Sequence, residues 1–401
     1  ALRRGMQPFT LRGHSIPGGK GVAVGISLFA TLLSTISYLS NPGEMIRHGP
    51  VILTGMATPF IAFFFAGFWL IPAIMRHRVT SAYELLEERV GLPGRLLAAV
   101  IFISLRLVWM GLMLNMCAEA LVHMLGLPDI AQPWIVVLVG VIAVGYTALG
   151  GLRAVVITDV VQFLLLFGGA ILTIALVTIS MGGFAWFPTQ WAPHWDTQPV
   201  FSLDPHVRVT VFGSLVSGSL WWICTAGSDQ MAIQRYMATR DVRAARRAFL
   251  INSCCEMSVA IVLGLVGFAV LGYYLANPEL IQLPGGIEAN ADKLFPQFIA
   301  NQLPVGISGL VVVALFAAAM SSVDSGINAV TAVVVTDFIG RFRLRKADET
   351  DDLRVARILT VVIGVIIVLL NTVVDRVPGN YLEASQKTVN LLVEGVGFEP
   401  T

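Results

Sequence analysis

The sequence predicts an all-α, polytopic membrane protein, and three observations carry the prediction. Of the 401 residues, 56% fall in the hydrophobic set and only 13% are charged, where soluble domains run near ~25% charged. Apolar runs of about twenty residues recur along the whole chain, each long enough to cross a hydrocarbon core of ~30 Å as a helix. Lys and Arg gather in alternate connections between those runs. A transmembrane β-barrel would show alternating ten-residue segments instead, and this chain has none.

Nine spans follow in order: 21–41, 51–75, 96–125, 133–149, 155–181, 210–233, 248–276, 305–338 and 355–375. The first comes after a polar, basic start, "ALRRGMQPFTLRGHSIPGGKG", which has no cleavable signal peptide and reads as a fragment's edge. Between the second and third, "RHRVTSAYELLEERVG" (76–91) is amphipathic and predicts a short surface helix. Arg153 separates the fourth from the fifth. The connection after the fifth, "FAWFPTQWAPHWDTQP" (184–199), carries three Trp and three Pro, as an interfacial loop would. The connection after the seventh (277–298) is polar and rich in Pro and Gly. The longest late spans overhang the bilayer. After the ninth, "NYLEASQKTVNLLVEGVGFEPT" approaches a tenth span, turns polar near 394 and stops.

With the N-terminus cytoplasmic, inner segments hold twenty of the twenty-six Lys and Arg, outer segments five, and one, Arg106, lies inside a span. That bias sets a cytoplasmic N-terminus in the cell (plasma or inner) membrane. A net charge of +1 gives no electrostatic case for nucleic acid. Cys117, Cys224, Cys254 and Cys255 all fall in apolar spans and read as packed thiols, and the six His show no metal-ligand spacing. No nucleophile, base and acid share a face, so the chain reads as a non-enzyme. No obligate protein partner is implied; the partners expected are the lipid bilayer and a small solute.

The eighth span holds the most informative stretch, "FAAAMSSVDSGINA" (316–329). Ala318, Ser321, Ser325 and Asn328 fall on one arc of about 80°, flanked by Ser322 and Asp324. Serines in membrane helices often bond back to their own carbonyls or allow close packing. An acid within the stripe changes the balance, because a carboxylate at that depth costs several kcal/mol unless something pairs it. In the first span, Ala30, Leu33, Ser34 and Ser37 share one face, and the β-branched Ile36 between Thr35 and Ser37 marks a place for the helix to break. A break would free carbonyls to join hydroxyls in a hard-oxygen cage for a small cation. The sixth span has its own weak point near Gly227.

Asp159 lies inside the fifth span. It reads either as a surface acid pairing with Arg153 or as a cation ligand facing the serine stripe. Arg106, in "IFISLRLVWMGLML", costs ~3 kcal/mol at a helix centre. It calls either for a buried acid, Asp324 or Glu256, or for the carboxylate of an anionic solute. Asp229 and Glu256 read as interfacial.

At this point the chain resembles the sodium:solute symporter family. The resemblance is carried by "SLFATLLSTISYLSNPGE" (27–44), "YTALGGLRAVVITDVVQF" (146–163), "GSDQMAIQRYMATRD" (227–241) and "FAAAMSSVDSGINAV" (316–330), in order and at compatible spacing, and runs from about residue 8 to 393. It implies the inverted-repeat, leucine-transporter-type core of five plus five helices. The nine spans would be core helices one to nine of a single transporter domain (1–393), with 21–181 as the first repeat and 210–393 as an incomplete second. Residues 394–401 would be a truncated or foreign tail. The family's extra N-terminal helix and its tenth core helix would lie outside this chain.

The resemblance also implies cargo and ligands. Sodium, written here as Na+, would be held by carbonyls of Ala30, Leu33 and Ala318 and by the hydroxyls of Ser321 and Ser322. A second sodium would meet Asp159, Ser321, Asp324 and Ser325, with Asp324 departing from the usual Ser or Ala. The solute would sit near Ser34, Ser37, Arg106 and Thr225. The polar set of sugar-carrying members is unmatched, with Trp222 and Thr225 in the sixth span. The expectation is therefore a sodium-coupled symporter of an organic anion, a carboxylate. A neutral-solute symporter and a transporter-like sensor are the alternatives.

Overall fold

The first span is two helices. α1 (Gly21–Leu32) stops, Leu33 leaves the helical path, and α2 (Thr35–His48) resumes. The arrangement comes from a computed structural model that describes residues 21–33, 35–77, 79, 81–197, 199–204, 210–281, 286–342 and 349–374. Ser34 and the expected tail 394–401 lie outside the described residues. The break sits one or two residues before the Thr35–Ser37 region that the sequence pointed to.

Beyond α2 the chain tightens into a 3₁₀ stretch, Gly49–Ala57, entered through Gly49 at φ 69°, where the Trp195 ring leaves no room for a Cβ. Then come α3 (Thr58–Phe65), a π-turn (Ala66–Leu70) and α4 (Ile71–His77). α5 (Glu84–Leu125) changes direction at Gly91, whose φ of 83° is open to glycine and strained for other residues. The surface helix expected over 76–91 is realised only by the opening turns of α5 before Gly91, while residues 76 and 77 close α4.

α6 (Gln132–Ser180) is helical for 49 residues, about 73 Å at 1.5 Å per residue, more than twice a bilayer core. It takes in both the fourth and fifth expected spans. α7 (Val211–Ser228) and α8 (Gln230–Met237) are separated by an extended Asp229. α9 (Val242–Ala276) begins at Asp241, whose carboxylate accepts from the Ala244 amide at 2.8 Å. A short α10 (Gly286–Ala289) leads into α11 (Ala291–Asn301). α12 (Val305–Val333) passes through a π-turn (Val334–Ile339) into α13 (Gly340–Phe342), and α14 (Glu349–Val374) completes the described chain. Among the described residues there is no strand.

Six helical stretches are long and apolar enough to cross a membrane, and two shorter ones, Val22–Leu32 and Asp129–Gly145, supplement them among the described residues. Exposed apolar side chains form stripes, such as Ile358, Val361, Val365 and Leu369 on α14. Such a surface belongs against lipid. Cys224 and Cys254 are exposed, and only Cys117 of the four cysteines is fully buried, against the expectation of packed thiols.

Small residues set the closest contacts, as they do between membrane helices. A Cβ on Gly25 of α1 would meet the Ala248 carbonyl and Ile251 at 2.7 Å, and one on Gly267 would meet Met45 and the Pro42 carbonyl at 2.7 Å. Two connections depart from expectation. Trp186 and Trp195 are buried rather than interfacial. Their indole N–H groups donate to Thr178 Oγ1 (2.8 Å) and to the Ile46 carbonyl (3.0 Å), while Trp191 stays exposed. In the 277–298 connection, α11 inserts Leu294, Phe295 and Phe298 into the apolar core.

Candidate functional site

α1, α6, α8 and α12 converge at the α1–α2 break. Ser321, Ser322, Asp324 and Ser325 are all buried, as are Ala30, Leu33 and Ala318. The i, i+3, i+4 spacing of the serine run puts them on the inward face of α12. Ser322 Oγ donates to the Leu33 carbonyl at 3.3 Å. A hydroxyl of α12 thus meets a main-chain oxygen freed by the break in α1. Ser321 turns the other way and donates to Asp159 Oδ1.

Asp159, on α6, is fully buried. It also accepts from Ser27 Oγ at 2.8 Å and Thr31 Oγ1 at 3.5 Å. Its counter-charge is Arg235 of α8, at 3.6 Å; Asp159 is therefore no surface acid, and the side chain of Arg153 lies outside the described residues. Arg235 is 1% exposed. Its Nε donates to Ser27 Oγ (3.2 Å), Nη1 to the Met231 carbonyl (3.1 Å), and Nη2 to Ser325 Oγ (3.0 Å) and to Thr31 Oγ1. Asp324 lies close enough to add to the field at Arg235. Asp159, Ser321, Asp324 and Ser325, the expected ligands of a second sodium, are thus gathered around a positive charge, and here the guanidinium supplies it.

The donor set suits a hard monovalent cation. It consists of carbonyls, hydroxyls and carboxylates, with no soft or nitrogen ligand among them. Among the described residues no cluster of His, Cys, Asp and Glu would hold a divalent or transition metal.

Arg106 pairs with neither Asp324 nor Glu256. It donates to Asp229 Oδ2, and its guanidinium lies 5.7 Å from the centroid of the Phe102 ring. The reason is the α7–α8 break. Asp229 leaves the helical path, caps α8 by accepting from the Met231 amide at 2.8 Å, and turns its other oxygen to Arg106. Asp229 is buried. Its amide donates to the Thr225 carbonyl at 3.1 Å, so Thr225 and Arg106 meet the same residue. Ser37 is half-buried on α2.

Sequence reasoning missed Arg235, Ser27 and Thr31. Arg235 follows the expected end of the sixth span and counts as a loop cation. Ser27 and Thr31 stand at i and i+4, a hydroxyl pair on one face of α1 that helical periodicity could have found.

The family model described as "Sodium:solute symporter family" matches residues 13–380. The chain is 32% identical over 374 residues to the sodium/sialic acid symporter NanT of Aliivibrio fischeri, covering 90% of this chain and 70% of the relative. It is 29% identical over 363 residues to the sodium/sialic acid symporter SiaT of Proteus mirabilis, covering 87% and 70%. Among solved structures it is similar to a substrate-bound, outward-open Na+-coupled sialic acid symporter. The TM-score is 0.77 at 26% identity, covering 96% of this chain and 80% of that one.

Proposed function

The chain belongs to the sodium:solute symporter family, and from that premise we propose that it imports a small organic solute together with sodium by alternating access. Sodium is cargo. The carbonyls of Ala30, Leu33 and Ala318 and the hydroxyls of Ser321 and Ser322 hold it. The observation that carries this reading is the Ser322 hydroxyl bonded to the Leu33 carbonyl across the break. It means that oxygens from two non-adjacent helices already converge where a helix is interrupted, as such sites require.

Sodium bound there ties α1 to α12 and favours one of the two access states. A second sodium enters among Asp159, Asp324, Ser321 and Ser325 as Arg235 withdraws, since two positive charges cannot share those oxygens at low dielectric. Residues 21–181 and 210–393 act as the two repeats, with the N-terminal end cytoplasmic. The solute lies beside the break, near Ser34, Ser37, Arg106 and Thr225. The named cargo of the two relatives supports an acid as the solute class. Arg106 then exchanges Asp229 for the solute's carboxylate.

The energetics favour two sodium ions for an acid. One charge crossing 100 mV releases ~2.3 kcal/mol, roughly fifty-fold accumulation, but a monoanion carried with one sodium gains nothing from voltage. The test is uptake of radiolabelled small acids, sialic acid and an amino-acid zwitterion among them, into vesicles bearing the protein, under an inward sodium gradient and with potassium in its place. Sodium-dependent uptake lost in both Ser321→Ala and Ser322→Ala is expected. Uptake that survives both substitutions refutes the sodium assignment.

A further inference from the structure

A cavity of about 170 Å³ opens between α2, the 3₁₀ stretch, α3, α7 and α9, lined among others by Asn41, Met56, Trp222, Glu256 and Ala260. It adjoins the proposed solute position. Asn41 stands one turn beyond Ser37 on α2, and Trp222 three residues before Thr225 on α7. Its depth follows from the glycine contacts. Gly25 packs at Ala248 and Ile251, and Gly267 packs at Pro42 and Met45. The α1–α2 run and α9 are therefore parallel and in step, and Glu256 falls at the level of the break.

Glu256 is the one charged residue lining the cavity. No hydrogen bond or ion pair joins it to the other described residues. A carboxylate at that depth costs several kcal/mol unless its charge is met. Arg106 does not meet it, being held by Asp229. The rest of the lining suits a positive charge. Trp222 brings an indole, whose face attracts cations, Asn41 an amide oxygen able to accept N–H, and Met56 and Ala260 apolar walls for an alkyl group. An anionic group entering here would be repelled. A cavity of ~150 Å³ holds a benzene-sized molecule, so this one takes the end of a solute rather than a whole sugar acid.

Resting on the symporter reading above, we infer that the solute carries a cationic group, an ammonium or substituted amine, and that Glu256 receives it. Joined to an acid group at Arg106, that makes the solute a zwitterion of no net charge, for which, unlike a monoanion, a single sodium already draws on the membrane voltage. Glu256 is then a specificity-determining residue, and Trp222 and Asn41 shape the subsite.

The experiment uses the purified protein with Cys224, Cys254 and Cys255 replaced by Ser and a single reporter, Asn41→Cys. Cationic and anionic methanethiosulfonate reagents of equal size are compared, each normalised to its rate with free cysteine. The cationic reagent should be favoured about tenfold or more, and adding Glu256→Gln should bring the ratio to near one. Glycine betaine should slow the labelling, acetate should not, and Glu256→Gln should abolish the protection. A ratio near one with Glu256 present, or no preferential protection by betaine, overturns the assignment. If Asn41→Cys does not fold, Met56→Cys reports on the same cavity. Sodium is exchanged for potassium in parallel. Labelling blind to sodium counts against sodium coupling and leaves the charge ratio to be judged on its own.

Discussion

Asp159 and Arg235 face each other where neither can reach water. Removing one partner of such a pair leaves an uncompensated charge and costs ~3–5 kcal/mol, while removing both is milder. Arg235→Gln should therefore lower the thermal-unfolding midpoint of the purified protein sharply, and Asp159→Asn with Arg235→Gln should recover much of the loss. Equal destabilisation by the single and double variants would show that the two act apart. Asp159 was legible in the sequence because an acid inside an apolar run is expensive. Its partner was not, because Arg235 follows the end of an apolar run and charge counting assigns it to a loop. Arg106 was equally conspicuous, and the weak point near Gly227 anticipated the interruption two residues on at Asp229, but not that the interruption turns the Asp229 carboxylate to Arg106. Ser321 and Ser322 were placed together by spacing alone. Their rotamers send one hydroxyl to Asp159 and the other to Leu33, a division that only packing decides.

Among elements, the α1–α2 and α9 contact rests on glycines. A side chain on Gly267 would collide with Met45 and the Pro42 carbonyl at 2.7 Å. Overpacking of this kind costs ~1–3 kcal/mol, so Gly267→Val should lower the unfolding midpoint, whereas Gly306→Val, with open space at its Cβ position, should not. A second junction ties the start of α5 to the π-turn after α12. Arg95 donates to Asp337 at 2.7 Å through Nε and to Glu87 at 2.6 Å, Arg341 reaches Glu87 at 3.0 Å, and Ser81 donates to Asp337 at 2.6 Å. Arg95→Ala should speed amide hydrogen exchange over 81–90 and 334–341 together, and exchange confined to one side would disconnect them. Helix existence was readable from run length, and the first break was located to within two residues. The connections were misread. Trp186, Trp195 and α11 have the composition of interfacial or polar loops, and composition does not say which pocket an aromatic ring will fill.

For the whole molecule, the apolar stripes on the exposed surface call for lipid, and the uneven Lys and Arg are the argument for a cytoplasmic N-terminal end. A single cysteine at Arg240 should be labelled only from the cytoplasmic side and one at Thr189 only from the outside. The reverse pattern would invert the orientation. The fold class was legible because membrane solvation forces helices, and the four motifs in sequence order pointed to the family. The solute was not legible, since it depends on which side chains line one cavity. The account as a whole stands on one ion held between α1 and α12. Binding of radioactive sodium to the purified protein measures it directly. Saturable binding is expected, weakened about tenfold or more by Ser322→Ala, as loss of a polar ligand to a charge implies. Ser321→Ala and Ser322→Ala both retaining the unsubstituted protein's affinity and stoichiometry would contradict it.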